Sequence, residues 1–284
     1  MCKVTAMITA RMTSSRLPGK VLKQLNGKSV FYHIVERLKQ CEKISNIYLA
    51  TSKNELNKPL IAEAKKCGVQ YYAGAEEDVL ERYIAIARKE KADIVVRCGG
   101  DMPLVSHEIV NQLLGEYKGE DLLYVVTTVS SGVETEILSL GAMERIQLKY
   151  RGPAISKYIF EYPHLFKSRG IEVDNEFSRP EFRLTLDTEE DYQLLMAIYN
   201  NFYNDGVPID IKEVLRFLDD HPELANINRF VKVKDVNLYV RKLKNMPTFS
   251  IYQSEDNNYV VKNRMGEIVS YAEFQKVVNQ IEWK

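Results

Sequence analysis

Eleven consecutive residues, Ala10-Arg11-Met12-Thr13-Ser14-Ser15-Arg16-Leu17-Pro18-Gly19-Lys20, carry two guanidinium groups, one ammonium, three hydroxyls and one glycine. A polyphosphate needs this mixture: hydroxyl and backbone N–H donors for its oxygens, and cations for its charge. Arginine can fork onto a phosphate, while lysine serves as a point charge. The segment is neither a G-x-x-x-x-G-K-[ST] loop nor a G-x-G-x-x-G loop, and by composition alone a solvated basic loop fits it equally well. Two carboxylates stand farther along the chain at the ends of apolar runs. Asp101 follows Gly99-Gly100, and Asp187 closes the run FRLTLD at 182–187. Two convergent carboxylates facing a basic loop suit Mg2+, a hard cation that takes oxygen ligands and keeps phosphates as partners.

The elements that must position these groups alternate along the first half. Residues 3–10 form a short apolar run, expected as a buried strand. Residues 29–40 place Val30, Ile34, Val35 and Leu38 on one helical face, with Ser29 as N-cap. Strands are expected over 46–51, 69–72 and 93–97, and helices over 55–67, 77–90 and 106–117, the second helix closed by Gly68. This alternation predicts an α/β fold with a mostly parallel sheet and helices on both faces. Such sheets bind ligands beyond the carboxyl ends of their strands, here loops 10–20, 51–55, 73–77 and 98–104. Asp101, Asp187 and the basic loop then share one end of the sheet.

Farther on, strands are expected over 122–127 and 133–139, joined by Ser130-Ser131-Gly132, and over 182–187. Helices are expected over 141–149, 153–161, 188–203 and 210–219, with Thr188 capping the third and Glu190 and Asp191 in its first turn. The sequence divides into a large domain, 1–228, and a small α+β appendage, 229–284, with a hairpin candidate over 259–271 and a helix around 272–281.

The chain has 284 residues, 45% of them apolar and 27% charged, which excludes wholesale disorder. Its 39 basic and 39 acidic residues leave no net charge, so no global field gathers nucleic acid or an anionic membrane. No apolar stretch is long enough to span a bilayer and no signal-peptide pattern opens the chain. Cys2, Cys41, Cys67 and Cys98 form no close pair, so a reduced, cytoplasmic setting is expected. His33, His107, His164 and His221 show no metal-ligand spacing.

The string ARMTSSRLPGK behind a buried strand resembles the signature of the CTP-dependent sugar-acid cytidylyltransferases, the family that activates Kdo and acylneuraminates, and within it the SpsF-like spore coat polysaccharide branch. Three further segments follow in that family's order: GAEEDVLER at 74–82, RCGGDMPL at 97–104 as R-x-x-G-D-x-P-L, and LTLDTEED at 184–191 as L-x-x-D-T-x-E-D. Together they cover roughly residues 1–205. The resemblance implies a Rossmann-like nucleotide-diphospho-sugar transferase fold and transfer of CMP from CTP to a sugar acid, with Mg2+ on Asp101 and Asp187. It implies that Arg11, Lys20, Asp101 and Asp187 are catalytic. Ala10, Arg11, Ser14, Ser15, Arg16, Lys20, Asp78, Arg82, Gly99 and Gly100 are then the nucleotide-side residues, and a homodimer is expected.

Four places depart from that pattern or stay open within it. Gly99 stands where relatives carry Thr or Gln, which bears on base selectivity. Asp78 and Arg82 face the nucleotide by family position, while by spacing alone they are an i,i+4 surface ion pair. Glu134 and Glu136 alternate on an expected strand and so share a face, where the resemblance implies contact with acceptor hydroxyls or amines and the residues alone fit an exposed edge strand equally well. Lys157, with Arg151 and Arg169, is a candidate for an acceptor carboxylate or phosphate, although RGPAISK at 151–157 replaces the relatives' Arg-Glu-His run. Rival readings are a uridylyl- or guanylyltransferase acting on a sugar phosphate, disfavoured by a loop with a single glycine, a glycosyltransferase, which lacks an Asp-x-Asp motif here, and a non-catalytic nucleotide-binding scaffold.

Overall fold

The computed structural model describes residues 2–150, 155–231, 250–253, 259–262 and 268–269. The chain divides into two compact units, Met1–Val231 and Lys232–Lys284.

The first unit is built on a seven-stranded sheet in the order β5-β4-β1-β6-β8-β7-β9. The strands are β1 Val4–Thr9, β4 Ile44–Ser52, β5 Gln70–Gly74, β6 Ile94–Gly99, β7 Leu122–Val125, β8 Glu136–Ser139 and β9 Ser168–Ile171. Strands β5, β4, β1 and β6 run parallel, as do β7 and β9. Only β8 is antiparallel to its neighbours β6 and β7. The result is a mostly parallel mixed sheet. A small hairpin, β2 Gln24–Leu25 and β3 Lys28–Ser29, turns through Asn26 at φ 47° and Gly27 at φ 77°. Asn-Gly at such a turn is a type I′ signal, legible in the sequence.

The helices form where local signals agree. Ser29, Asp78, Ser106, Ser139 and Thr188 each accept a backbone N–H at the start of α1 Val30–Lys39, α3 Val79–Glu90, α4 His107–Glu116, α5 Leu140–Gln147 and α7 Glu189–Phe202. Between them lie α2 Lys58–Lys66 and α6 Ile155–Glu161, and α8 Ile211–Asp220 follows. Alternate residues of β1 feed two cores. Ala6 and Ile8 pack with α1, α2, α4, α7 and α8, whereas Met7 packs with α3, α5 and α6. A sheet buried on both faces explains the continuous apolar run of β1.

Two expectations are corrected. Residues 182–187 are not a strand: beyond one bridge between Arg183 and Ser131, the segment runs extended across loops. Its N–H groups at Leu184 and Leu186 donate to the carbonyls of Ser131 (2.8 Å) and Asp101 (2.8 Å), so its alternating pattern reports burial without sheet pairing. Strand β9 was not anticipated, because SRGI is a polar edge segment with one buried side chain, Ile171.

In the second unit, β10 Ser250–Gln253, β11 Tyr259–Lys262 and β12 Ile268–Val269 make an antiparallel sheet. The helix expected around 272–281 lies outside the described residues. Among the described residues, no helix is long and apolar enough to cross a membrane.

Candidate active site

The basic loop leaves the carboxyl end of β1 and closes on itself. Gly19 donates its N–H to the Met12 carbonyl at 3.0 Å and takes φ +70°, a conformation open to glycine. The Met12 N–H is held by Asn57 Oδ1 at 2.8 Å, and buried Asn57 donates in turn to the carbonyl (3.1 Å) and Oγ (2.8 Å) of Ser52 at the end of β4. The loop is therefore fastened to the neighbouring strand. A single helical turn over Lys20–Leu22 follows at once and fixes where Lys20 begins.

Lys20 Nζ lies 3.0 Å from Asp101 Oδ2, 2.7 Å from Asp187 Oδ1 and 2.7 Å from the Leu186 carbonyl. Three donors meet three acceptors, so the ammonium is fully engaged. Arg16 reaches Asp187 Oδ2 at 2.8 Å, and Arg183 donates to the same oxygen at 2.7 Å. Burial alone would raise the Asp187 carboxyl. Lys20, Arg16 and Arg183 outweigh it and hold that carboxyl below the ordinary carboxylate range.

Asp101 is delivered through its glycines. Gly100 donates to the Thr9 carbonyl at 2.9 Å, and a Cβ there would lie 2.5 Å from Ala10 Cβ. The end of β6 thus rests directly on the end of β1. A Cβ on Gly99 would lie 2.4 Å from Asp101 Oδ1, so this carboxylate folds back over the glycine.

Among the described residues no three His, Cys, Asp or Glu side chains form a ready cation cage. The site nevertheless fits Mg2+. Two carboxylates already converge on one cation, the Lys20 ammonium, and this ion commonly takes one or two carboxylates plus substrate phosphates. Asp101 and Asp187 are the residues that would hold it.

A family model described as Cytidylyltransferase matches residues 5–204. The chain belongs to the cytidylyltransferase family. It is 28% identical over 233 residues to the spore coat polysaccharide biosynthesis protein SpsF of Bacillus subtilis, across 77% of this chain and 95% of that protein. It is 30% identical over 112 residues to a 3-deoxy-manno-octulosonate cytidylyltransferase of Geobacter metallireducens, across 39% of this chain and 43% of that one. The solved structure of a cytidylyltransferase from Leptospira borgpetersenii superposes with a TM-score of 0.73 at 27% identity, covering 82% of this chain and 99% of its own. The fold is accordingly the Rossmann-like nucleotidyltransferase fold, and the protein is a nucleotidyltransferase.

Around the centre of this cytidylyltransferase, the other candidates divide. Ser14 is half-buried on the loop and Ser15 is exposed, and Arg11 is an exposed guanidinium 3.3 Å from Glu76. Asp78 caps α3 by accepting the Glu81 N–H at 2.9 Å. Arg82 is buried and donates to the carbonyls of Ala75 (2.6 Å) and Glu76 (3.2 Å). The surface pair expected from their spacing is therefore replaced by a cap and a buried clamp on the loop after β5.

Glu134 and Glu136 do not share a strand, because β8 begins at Glu136. Glu136 takes Arg97 and Ser156 as close partners, and burial, which lowers the Arg97 guanidinium, is outweighed by Glu136 so that it titrates higher. Glu134 Oε2 is enclosed and has no hydrogen-bond partner among the described residues, and desolvation raises that carboxyl. Lys157 lies 3.9 Å from Glu161 along α6, and it is Ser156 that reaches Glu136. Arg169 is spent on Glu116 (3.4 Å), the last residue of α4, and on Glu120 (2.7 Å) just after it. Arg151 lies outside the described residues.

Sequence reasoning missed Arg183 and Asn228 and read Asp191 only as a first-turn acid. All three are buried beside Asp187, with Asp191 completely enclosed. The spacing Thr188-x-x-Asp191 was the available signal, since the two make a reciprocal capping box.

Proposed function

We propose that the chain transfers CMP from CTP to a sugar acid or a related hydroxyl acceptor, releasing pyrophosphate, in the biosynthesis of a surface polysaccharide or glycan. One observation carries this reading: Arg16 and Lys20, from the loop after β1, meet Asp101, which follows β6, and Asp187, which ends the buried segment 182–187. Family membership and the likeness to SpsF and to 3-deoxy-manno-octulosonate cytidylyltransferases support the base and the acceptor class.

In the reaction an acceptor hydroxyl loses its proton to solvent and its oxygen bonds to the α-phosphorus. The bond to the bridging oxygen breaks, and pyrophosphate departs with that electron pair. Arg11, Arg16 and Lys20 neutralise the triphosphate and the charge that grows on the leaving group, which is positioning and electrostatic work. The closed loop keeps these cations from having to be ordered at the moment of reaction. Asp101 and Asp187 would hold Mg2+, which would supply Lewis-acid polarisation of the phosphate. Glu134 and the Arg97–Glu136–Ser156 cluster are the polar groups proposed to face acceptor hydroxyls.

The test is pyrophosphate release from each of the four nucleoside triphosphates with Mg2+ and a panel of sugar acids. Release that requires CTP and one of these acceptors is expected. Preference for another nucleotide, or no release across the panel, overturns the reading.

A further inference from the structure

Asp187 has three cationic partners of two kinds. Arg16 and Lys20 come from the polyphosphate loop, and the Arg16 side chain is 31% exposed. Arg183 comes from the segment that carries Asp187 itself and is buried. Its Nη2 donates to Asp187 Oδ2 at 2.7 Å, and its Nε donates to Asp191 Oδ1 at 2.9 Å. Asp191 also accepts the N–H groups of Asp187 (2.8 Å) and Thr188 (3.0 Å). Asn228 closes the relay from 37 residues beyond Asp191, donating to Asp191 Oδ1 at 2.9 Å and to the Arg183 carbonyl at 2.8 Å.

Arg183 cannot turn toward a ligand without unpairing a fully enclosed carboxylate, which costs far more than loosening an exposed pair. A triphosphate can draw Arg16 and Lys20 away, but not Arg183. One oxygen of Asp187 therefore stays tied while Oδ1, now on Lys20, is the one that can be exchanged. We infer that Arg183, locked by Asp191 and Asn228, is the positioning residue that makes Asp187 a one-oxygen ligand for the active-site cation. The inference rests on the reading that Asp101 and Asp187 hold that cation. Partners behind a metal ligand commonly contribute roughly 10–100-fold to metal affinity.

Arg183→Lys tests this. Lysine keeps the positive charge beside Asp191, so the buried pair survives, but it lacks the fork that spans two carboxylates. Mn2+ binding is titrated by electron paramagnetic resonance on the full chain for wild type, Arg183→Lys and Asp187→Asn, with thermal unfolding beside it. The expected result is a dissociation constant for Mn2+ about tenfold weaker in Arg183→Lys, with the cooperative unfolding transition retained. Affinity equal to wild type, with or without a lower melting temperature, makes Arg183 purely structural and overturns the proposal. Wild type and Asp187→Asn binding alike shows instead that the cation is not on Asp187, and the proposal falls with that reading. Should Arg183→Lys fail to fold, Asn228→Ala loosens the relay without changing charge. A threefold weaker Mn2+ affinity supports the relay, and an unchanged one overturns it.

Discussion

Lys20 Nζ and Asp187 Oδ1, 167 residues apart in sequence, stand 2.7 Å apart, and Asp101 shares the same ammonium. The lysine is thus the resident counter-ion of the two carboxylates proposed to hold a divalent cation, and it cannot serve them and a triphosphate at once. Lys20→Met is expected to lower turnover by roughly 100-fold or more, the scale for losing one charge-stabilising donor. The same variant should bind Mn2+ more tightly than wild type when no nucleotide is present, because the competing ammonium is gone. Equal Mn2+ affinity, measured by titration calorimetry, would show that lysine and metal occupy different positions.

Asp101 has a third of its side chain exposed and, among the described residues, a single ion-pair partner, Lys20. Asp101→Asn should keep the melting temperature within a few degrees while abolishing pyrophosphate release. Retained turnover would remove Asp101 from the catalytic set.

Gly99 and Gly100 are adjacent but tolerate a methyl group differently. At Gly99 the obstacle is the far end of the Asp101 side chain, which can swing away; at Gly100 it is Ala10 and the backbone of Thr9. Gly100→Ala is expected to destabilise the fold by about 1–3 kcal/mol, the usual scale of overpacking. Gly99→Ala should leave stability near wild type and weaken the Mg2+ dependence of turnover by moving Asp101. Urea unfolding and Mg2+ titration of both variants decide it, and equal destabilisation would count against this division.

His33 is buried between Tyr199 and Tyr203, with Nε2 2.8 Å from the Leu25 carbonyl. Burial pushes its pKa down to about 4. An unfolded histidine titrates near about 6.5. Between those values the unfolded chain takes a proton that the folded one refuses, so stability falls as pH drops through the window, and the penalty is complete below it. The effect amounts to up to about 3 kcal/mol. His33→Gln should flatten the stability profile between pH 6.5 and 4.5. An unchanged slope would place the acid sensitivity elsewhere.

Much of the fold was legible because its signals are local. Ser29, Ser106 and Thr188 cap helices where the sequence puts caps, and the parallel half of the sheet follows from strand–helix alternation. The candidate site was legible as four ordered motifs, since each loop carries its own residue types. The extended segment 182–187 was misread because alternation reports which side chains are buried, and burial against loops looks the same as burial in a sheet. Glu134 and Glu136 were misjudged for a related reason: a strand's first residue is set by its partner, here β6, and not by its own sequence.

The sequence by itself determined the α/β class, the helix starts, the basic loop and the two acidic loop ends, because periodicity, caps and residue type act over a few neighbouring residues. Only the tertiary structure decided which charges meet. Arg169 spends itself on Glu116 and Glu120, Arg82 clamps a loop, and Arg183 backs Asp187 through Asp191 and Asn228. Charged side chains of the same kind are interchangeable in a sequence. The tertiary fold brings particular ones together from distant parts of the chain, and burial there forces each to find a partner.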